Sequence, residues 1–203
     1  MKVYGVGAVE PGQATPSPEG TQFVRYRSLA AIVEPSAYTA VSLDDGEMDR
    51  YLRVLDEVHA HTAVLPAPPG TVFRSLATLT GWLELHYFTL TEALSVVEGH
   101  ASARVSISAG TREAEGETQK SFSALAAESL RLLRGQAAAT VTFAGAEDDE
   151  ESVVARASFL VDSQRWEAFE EAVLEEAKRQ PALEFRITGP WPPYDFVRMQ
   201  FGA

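Results

Sequence analysis

Four stretches of this chain carry residue types that could do chemistry: "DEVHAH", "AEDDEES", "GVGAVEPG" and "ITGPWPPYDF". His59 and His61 form the close histidine pair of the first. Two positions apart on a helix, they point about 200° from each other, so they do not converge on one metal ion. Their order is also not the H-E-x-x-H of a zinc hydrolase. His86 and His100 stand isolated. The run Glu147, Asp148, Asp149, Glu150, Glu151 lacks the alternating acids and glycine of a calcium loop and reads as a solvated hairpin turn. Gly5 and Gly7 follow a strand signal, but no helix signal comes after them, so a dinucleotide fingerprint fails on context. The sequence shows no nucleophile elbow and no phosphate loop. It offers no argument for an enzyme, and no cofactor or metal is expected.

The fourth stretch is of another kind. Gly189, Pro190, Trp191, Pro192, Pro193 and Tyr194 interleave prolines with large aromatics. Three prolines remove three backbone donors, and Pro192 drives Trp191 towards extended geometry. Such a segment cannot continue a ladder in the middle of a sheet, so it belongs at an edge, in a turn, or at a surface that something else touches. "PWPP" also fits the P-x-x-P of a polyproline ligand. However, a strand precedes it and the apolar tail "DFVRMQF" follows, so a folded turn locked by stacked aromatics is expected. Trp191 is expected to set its indole against a neighbouring helix or sheet.

The composition bounds what such a turn could serve. The 203 residues suit one large domain or two small ones, and 45% hydrophobic with 23% charged is ordinary for a globular protein. The absence of cysteine excludes disulfides, thiol nucleophiles and cysteine-held metal centres. A formal charge of −12, with no basic stripe, argues against nucleic acid and anionic lipid as partners. The apolar stretch "LTGWLELHYFTLTEALSVV" contains Glu84, His86 and Glu92, so no membrane span is expected. The N-terminus reads as a first strand and not as a signal peptide, and the expected location is cytoplasmic.

Elements must position these stretches. Residues 2–9 read as a strand, residues 11–20 as a turn rich in proline, glycine and serine, and residues 23–34 as a β run long enough to split. Asp44 and Glu47 have capping-box spacing ahead of Met48, Tyr51, Leu52, Leu55 and Val58 at helical intervals. "PAPPG" then makes a rigid loop, and one helix over 76–98 is apolar nearly all round, the pattern of a helix buried between layers. From residue 103 the pattern becomes β-α-β-β-α-β, the ferredoxin-like arrangement. Its last helix carries Trp166, Phe169, Val173 and Leu174 inward. The fold expected is α+β in two small domains: residues 1–100, and a ferredoxin-like domain over 101–203 that ends in the proline-aromatic segment.

The closing block "TGPWPPYDFV" resembles the one that ends the gas vesicle protein F/L family (GvpF/GvpL). Supporting blocks come in the family's order: "VYGV", "LAAIVE", "LDEVHAHTAVLPAPPGTVF" and "ASFLVD". The third contains a proline and G-T-V-F loop, here Pro66, Gly70, Thr71 and Phe73. Pro68 and Pro69 depart from the arginine and phenylalanine usual before that glycine, and "GHASARVSI" replaces the family's E-x-x-V-K strand. The resemblance implies two α+β domains and an accessory or minor structural protein without catalysis. It also implies binding to the small hydrophobic gas vesicle shell protein or other accessory proteins, in support of vesicle assembly in the cytoplasm. The rival is a small-molecule-binding or enzymatic ferredoxin-like protein, because that fold hosts many functions. A pocket with convergent polar groups would favour the rival; an apolar surface near Trp191 or helix 76–98 would favour assembly.

Overall fold

A computed structural model describes residues 1–9, 17–39, 41–110, 119–143 and 153–196. The acidic run from Glu147 to Glu151, most of the turn from Pro11 to Gly20 and the tail beyond Phe196 lie outside them. The chain divides into two compact units, Met1–Glu98 with the segment that begins at Pro192, and Gly99–Trp191.

In the first unit the order is β1 (Lys2–Ala8), β2 (Gln22–Tyr26), β3 (Leu29–Glu34), α1 (Asp45–His59), β4 (Val64–Pro66), α2 (Leu76–Leu85) and α3 (Tyr87–Val97). The strands form an antiparallel sheet in the order β2-β3-β1-β4. The β run expected over 23–34 does split, at a turn where Arg27 takes a φ of 53°. "LAAIVE" is buried almost throughout because both faces of its sheet are covered. Leu29, Ala31 and Val33 join Leu79, Leu83, Leu90, Leu94 and Val97 of α2 and α3 on one side. Ile32 joins Tyr51, Val54, Leu55 and Val58 of α1 on the other.

The register of β1 shifts between Val3 and Gly5, and Tyr4 occupies the bulge. Tyr4 and Gly5 therefore both lie towards α1. Gly5 is required there, because a Cβ would stand 2.7 Å from the Leu65 carbonyl oxygen and 3.2 Å from the Leu55 side chain. The cap of α1 forms as its spacing predicts, with the Glu47 amide donating to the Asp44 carboxylate at 3.0 Å. The Glu47 carboxylate does not turn back to the cap; it accepts from Lys2 Nζ at 2.7 Å.

The single buried helix expected over 76–98 is two helices meeting at His86, whose φ of −99° and ψ of 10° leave the helical region. It is not buried all round either: Leu85 is 78% and Phe88 80% exposed. The pair lies on one face of one sheet. That sheet covers Leu79, Leu83, Leu90, Leu94 and Val97 and leaves the opposite apolar side uncovered.

The second unit runs β5 (His100–Ala109), α4 (Gln119–Arg134), β6 (Ala139–Phe143), β7 (Val153–Asp162), α5 (Trp166–Arg179) and β8 (Leu183–Trp191). Its antiparallel sheet has the order β6-β7-β5-β8, so each helix crosses over the strand between the two that it joins. Ala103, Val105 and Ile107 alternate onto one face and pack with Ala157, Phe159, Val161, Phe169 and Val173. On α4, Phe122, Ala126, Leu130 and Leu133 turn into that core at helical spacing. Leu174, expected inward, is 60% exposed: Phe169 and Val173 already fill the inward side of α5, and the next position rotates away from it.

Candidate functional site

The proline-aromatic segment falls at the end of β8, an edge strand, where a proline costs no ladder bond in the sheet interior. Opposite Ala103 alone stand Gly189 and Pro190, between the pairs Arg104–Thr188 and Ser102–Trp191. The Gly189–Pro190 bond is cis, and Gly189 has a φ of 133°. A Cβ at Gly189 would lie 2.7 Å from both the Ser102 carbonyl oxygen and the ring of Trp166. Trp166 is thus the indole pressed against this turn. Trp191, expected to be set into a face, is instead 38% exposed, and its indole N–H donates to the Thr188 hydroxyl at 3.3 Å. The bulge at Gly189 and Pro190 resets the alternation that would have continued inward from Phe185 and Ile187.

Pro192, Pro193 and Tyr194 belong to the first unit. Pro192 and Pro193 are buried, and the amide of Tyr194 donates to the Pro192 carbonyl at 2.7 Å. Tyr194 packs on the α1 side of the sheet, with its ring centroid 6.4 Å from that of Tyr51, which in turn stacks on Tyr4 at 6.2 Å. Burial pushes the phenols of Tyr51 and Tyr194 up, Tyr194 with help from the charge on Asp56. The Tyr51 hydroxyl donates to the Ala67 carbonyl at 2.6 Å.

At the other end of this aromatic column is a charged cluster. The Tyr4 hydroxyl donates to Glu34 at 2.5 Å, Arg50 Nε donates to the same oxygen at 2.9 Å, and Lys2 Nζ lies 3.5 Å from it. Burial pushes the Glu34 carboxyl up, but the bonds from Tyr4 and Arg50 and the charges of Lys2 and Arg50 outweigh it and hold the group below its usual range. The cluster is internally matched, with each charge satisfied by a neighbour.

The loop residues Pro66, Gly70, Thr71 and Phe73 brace the start of the chain. Pro66 pairs with Gly5. Gly70, with a φ of 80°, makes the turn that brings the Thr71 amide to the Pro68 carbonyl at 3.1 Å. Val3 donates to the Thr71 carbonyl at 2.9 Å and Phe73 to that of Met1 at 2.8 Å, while the Met1 ammonium donates to the Phe73 carbonyl at 2.9 Å.

His59 is half-buried and His61 exposed, and burial pushes the His59 imidazole down. Among the described residues no three histidine, aspartate or glutamate side chains gather as metal ligands, and no helix is long and apolar enough to cross a membrane. A shallow groove between α4 and α5 is lined by Leu132, Leu133, Ala172 and the Glu176–Arg179 pair. Arg179 Nη2 donates to Glu176 at 2.6 Å, so these polar groups satisfy each other.

The surface that stands out lies on α2 and α3. Leu85, Phe88 and Val96 are 78%, 80% and 56% exposed. Their outward pose is fixed from beneath. Tyr87 shares a 2.9 Å hydrogen bond with Ser28 and sits edge-on to Tyr26, with the Arg27 guanidinium 5.0 Å over its ring. Trp82 lies between the rings of Phe73, at 5.8 Å, and His86, at 4.9 Å. The sequence predicts a buried helix here, and the structure leaves part of it exposed. The signal was its apolar residues on every side, more than one sheet face can cover.

Two antiparallel four-stranded sheets with packed helices, an aromatic column and an exposed apolar helix face define a mixed α/β protein. A family model, gas vesicle synthesis protein GvpL/GvpF, matches residues 3–140 and 111–198. The chain belongs to the GvpL/GvpF family of gas vesicle synthesis proteins.

Gas vesicle protein F2 of Halobacterium salinarum is 29% identical over 185 residues, which span 89% of this chain and 81% of that protein. Gas vesicle protein F of Haloferax mediterranei is 27% identical over 186 residues, 89% of this chain and 83% of that one. The crystal structure of GvpF from an Anabaena species overlays with a TM-score of 0.78 at 15% identity, covering 99% of this chain and 97% of the other. That of GvpF from Microcystis aeruginosa gives 0.75 at 12% identity, covering 97% and 98%. At these identities the two structures establish the fold.

Proposed function

We propose that this protein is a non-catalytic accessory or minor structural component of the gas vesicle, cytoplasmic or held on the vesicle, that binds shell or other accessory subunits and supports their assembly. The observation that carries this reading is the apolar face of Leu85, Phe88 and Val96, held outward on α2 and α3 over a packed core. Large apolar side chains left exposed on packed helices favour a protein contact. The net charge of the whole chain, −12, keeps it dissolved while that face engages an apolar subunit. The strand order and crossovers of Gly99–Trp191 support a ferredoxin-like second domain, which serves as a scaffold in this reading.

Vesicle counts in a strain that lacks the gene test the role. Few or malformed vesicles, restored by the intact gene, are expected. Normal vesicles in the deletion strain would reject it.

A further inference from the structure

We propose that the α2–α3 face receives an amphipathic segment of a partner whose apolar residues are flanked by lysine or arginine. The proposal rests on the binding role argued above and names the chemistry of what is bound. Phe88 is the most exposed large apolar residue on this face, and the acids Glu84 and Glu92 stand four positions before and after it. Within α3 a spacing of four puts side chains on one side of successive turns, so Glu92 borders Phe88, while Glu84 precedes Leu85 at the end of α2, before the break at His86. Glu92 also stands four residues before Val96, within the apolar stripe. From Ser75 to Glu98 there is no lysine or arginine. Of the nearby cations, Arg27 lies against the rings of Tyr26 and Tyr87, and Arg74, just before Ser75, lies over the ring of Tyr38.

This pattern selects among occupants. Burial of Phe88, Leu85 and Val96 drives contact with any apolar surface, but it also brings Glu84 and Glu92 to the rim, where unmatched charge is penalised. A second copy of this chain would oppose acids to acids across the same stripe. An anionic membrane meets the same repulsion, added to that of the whole molecule. A partner helix with basic residues beside its apolar stripe matches both parts of the surface.

The test uses the full-length protein and two synthetic amphipathic peptides with the same leucine stripe, one flanked by lysines and one by glutamates. The lysine peptide should bind at least about tenfold more tightly than the glutamate peptide. Phe88→Ser, at an exposed position, should leave Tm unchanged and weaken the lysine peptide by roughly thirtyfold, the effect of losing a central anchor. Val96→Ser should weaken it less, and Glu84→Lys with Glu92→Lys should invert the preference between peptides. Equal binding of both peptides, or lysine-peptide binding that survives Phe88→Ser, would overturn the proposal; so would self-association of the protein that Phe88→Ser abolishes. Co-purification of gas vesicle proteins separates this from the broader role. Recovery with both the wild type and Phe88→Ser leaves the role standing and rejects the surface. No recovery with the wild type, together with the expected peptide preferences, rejects the role and retains the surface.

Discussion

The ring of Tyr194 stands 6.4 Å from that of Tyr51 at an interplanar angle of 35°, which ties the segment after the last strand to helix α1. The Tyr194 hydroxyl is buried and has no hydrogen-bond partner among the described residues. Its packing is therefore its contribution, and the hydroxyl adds nothing. Tyr194→Ala should lower stability by about 3 kcal/mol, near the low end for a buried aromatic because the residue is partly exposed. Tyr194→Phe should match or exceed the wild-type Tm, since it removes an unsatisfied polar group. Thermal denaturation of both variants checks this, and a Phe variant as damaged as the Ala variant would refute the packing account.

The same residues predict an alkaline limit. The phenols of Tyr51 and Tyr194 are raised in the fold, so the unfolded chain ionises first, near the ordinary tyrosine value of about 10. Stability from these groups is complete below that pH and falls as pH rises above it. Tyr194→Phe should flatten the fall measured by denaturant titration between about pH 9 and 11.

On the acid side Glu34 contributes to the slope, with Glu176, whose carboxyl the bond from Arg179 also holds down. The Glu34 carboxyl is held below the ordinary range, so its contribution is complete above the unfolded value of about 4.3 and is lost as pH falls through the lower folded value. Glu34→Gln leaves Arg50 short of a charged partner, while Lys2 keeps Glu47 at 2.7 Å, and should cost about 1–3 kcal/mol at neutral pH. The loss should shrink as pH falls through the lowered folded value, where the wild type loses the charge as well.

Gly189→Ala should be severely destabilising. The backbone there has a φ of 133°, and the added carbon would meet the Ser102 carbonyl and Trp166. A cost of about 2–4 kcal/mol follows from the strain and the overlap together. Trp191→Ala, by contrast, should cost less than the Trp166→Ala change, because Trp191 is 38% exposed. Equal losses in Tm for the two tryptophans would count against the assignment of Trp166 as the packed indole.

What could be read in the sequence was what local patterns determine. The alternation of Ala103, Val105 and Ile107, the helical spacing of Tyr51, Leu55 and Val58, and the Asp44 cap each report a short-range rule that packing then obeys. The prolines located an edge. What stayed hidden depended on long-range pairing. Val64–Pro66 becomes a strand because β1 offers it an edge at Gly5, Val6 and Gly7. The exposure of Phe88 could not be told from burial, because periodicity shows that a helix is apolar and not how many of its faces find cover. Trp191 turns outward through a bulge that no local pattern announces, while Trp166 packs inward as its helical spacing predicts.

The most direct measurement of the central claim is co-purification of the tagged full-length protein from cells making gas vesicles, washed at low and at high salt. In the proposed role, contact through Leu85, Phe88 and Val96 would be driven by apolar burial, so shell or accessory proteins of the vesicle should be recovered at both salts. Recovery of neither at either salt, with vesicles otherwise forming normally, would contradict the account.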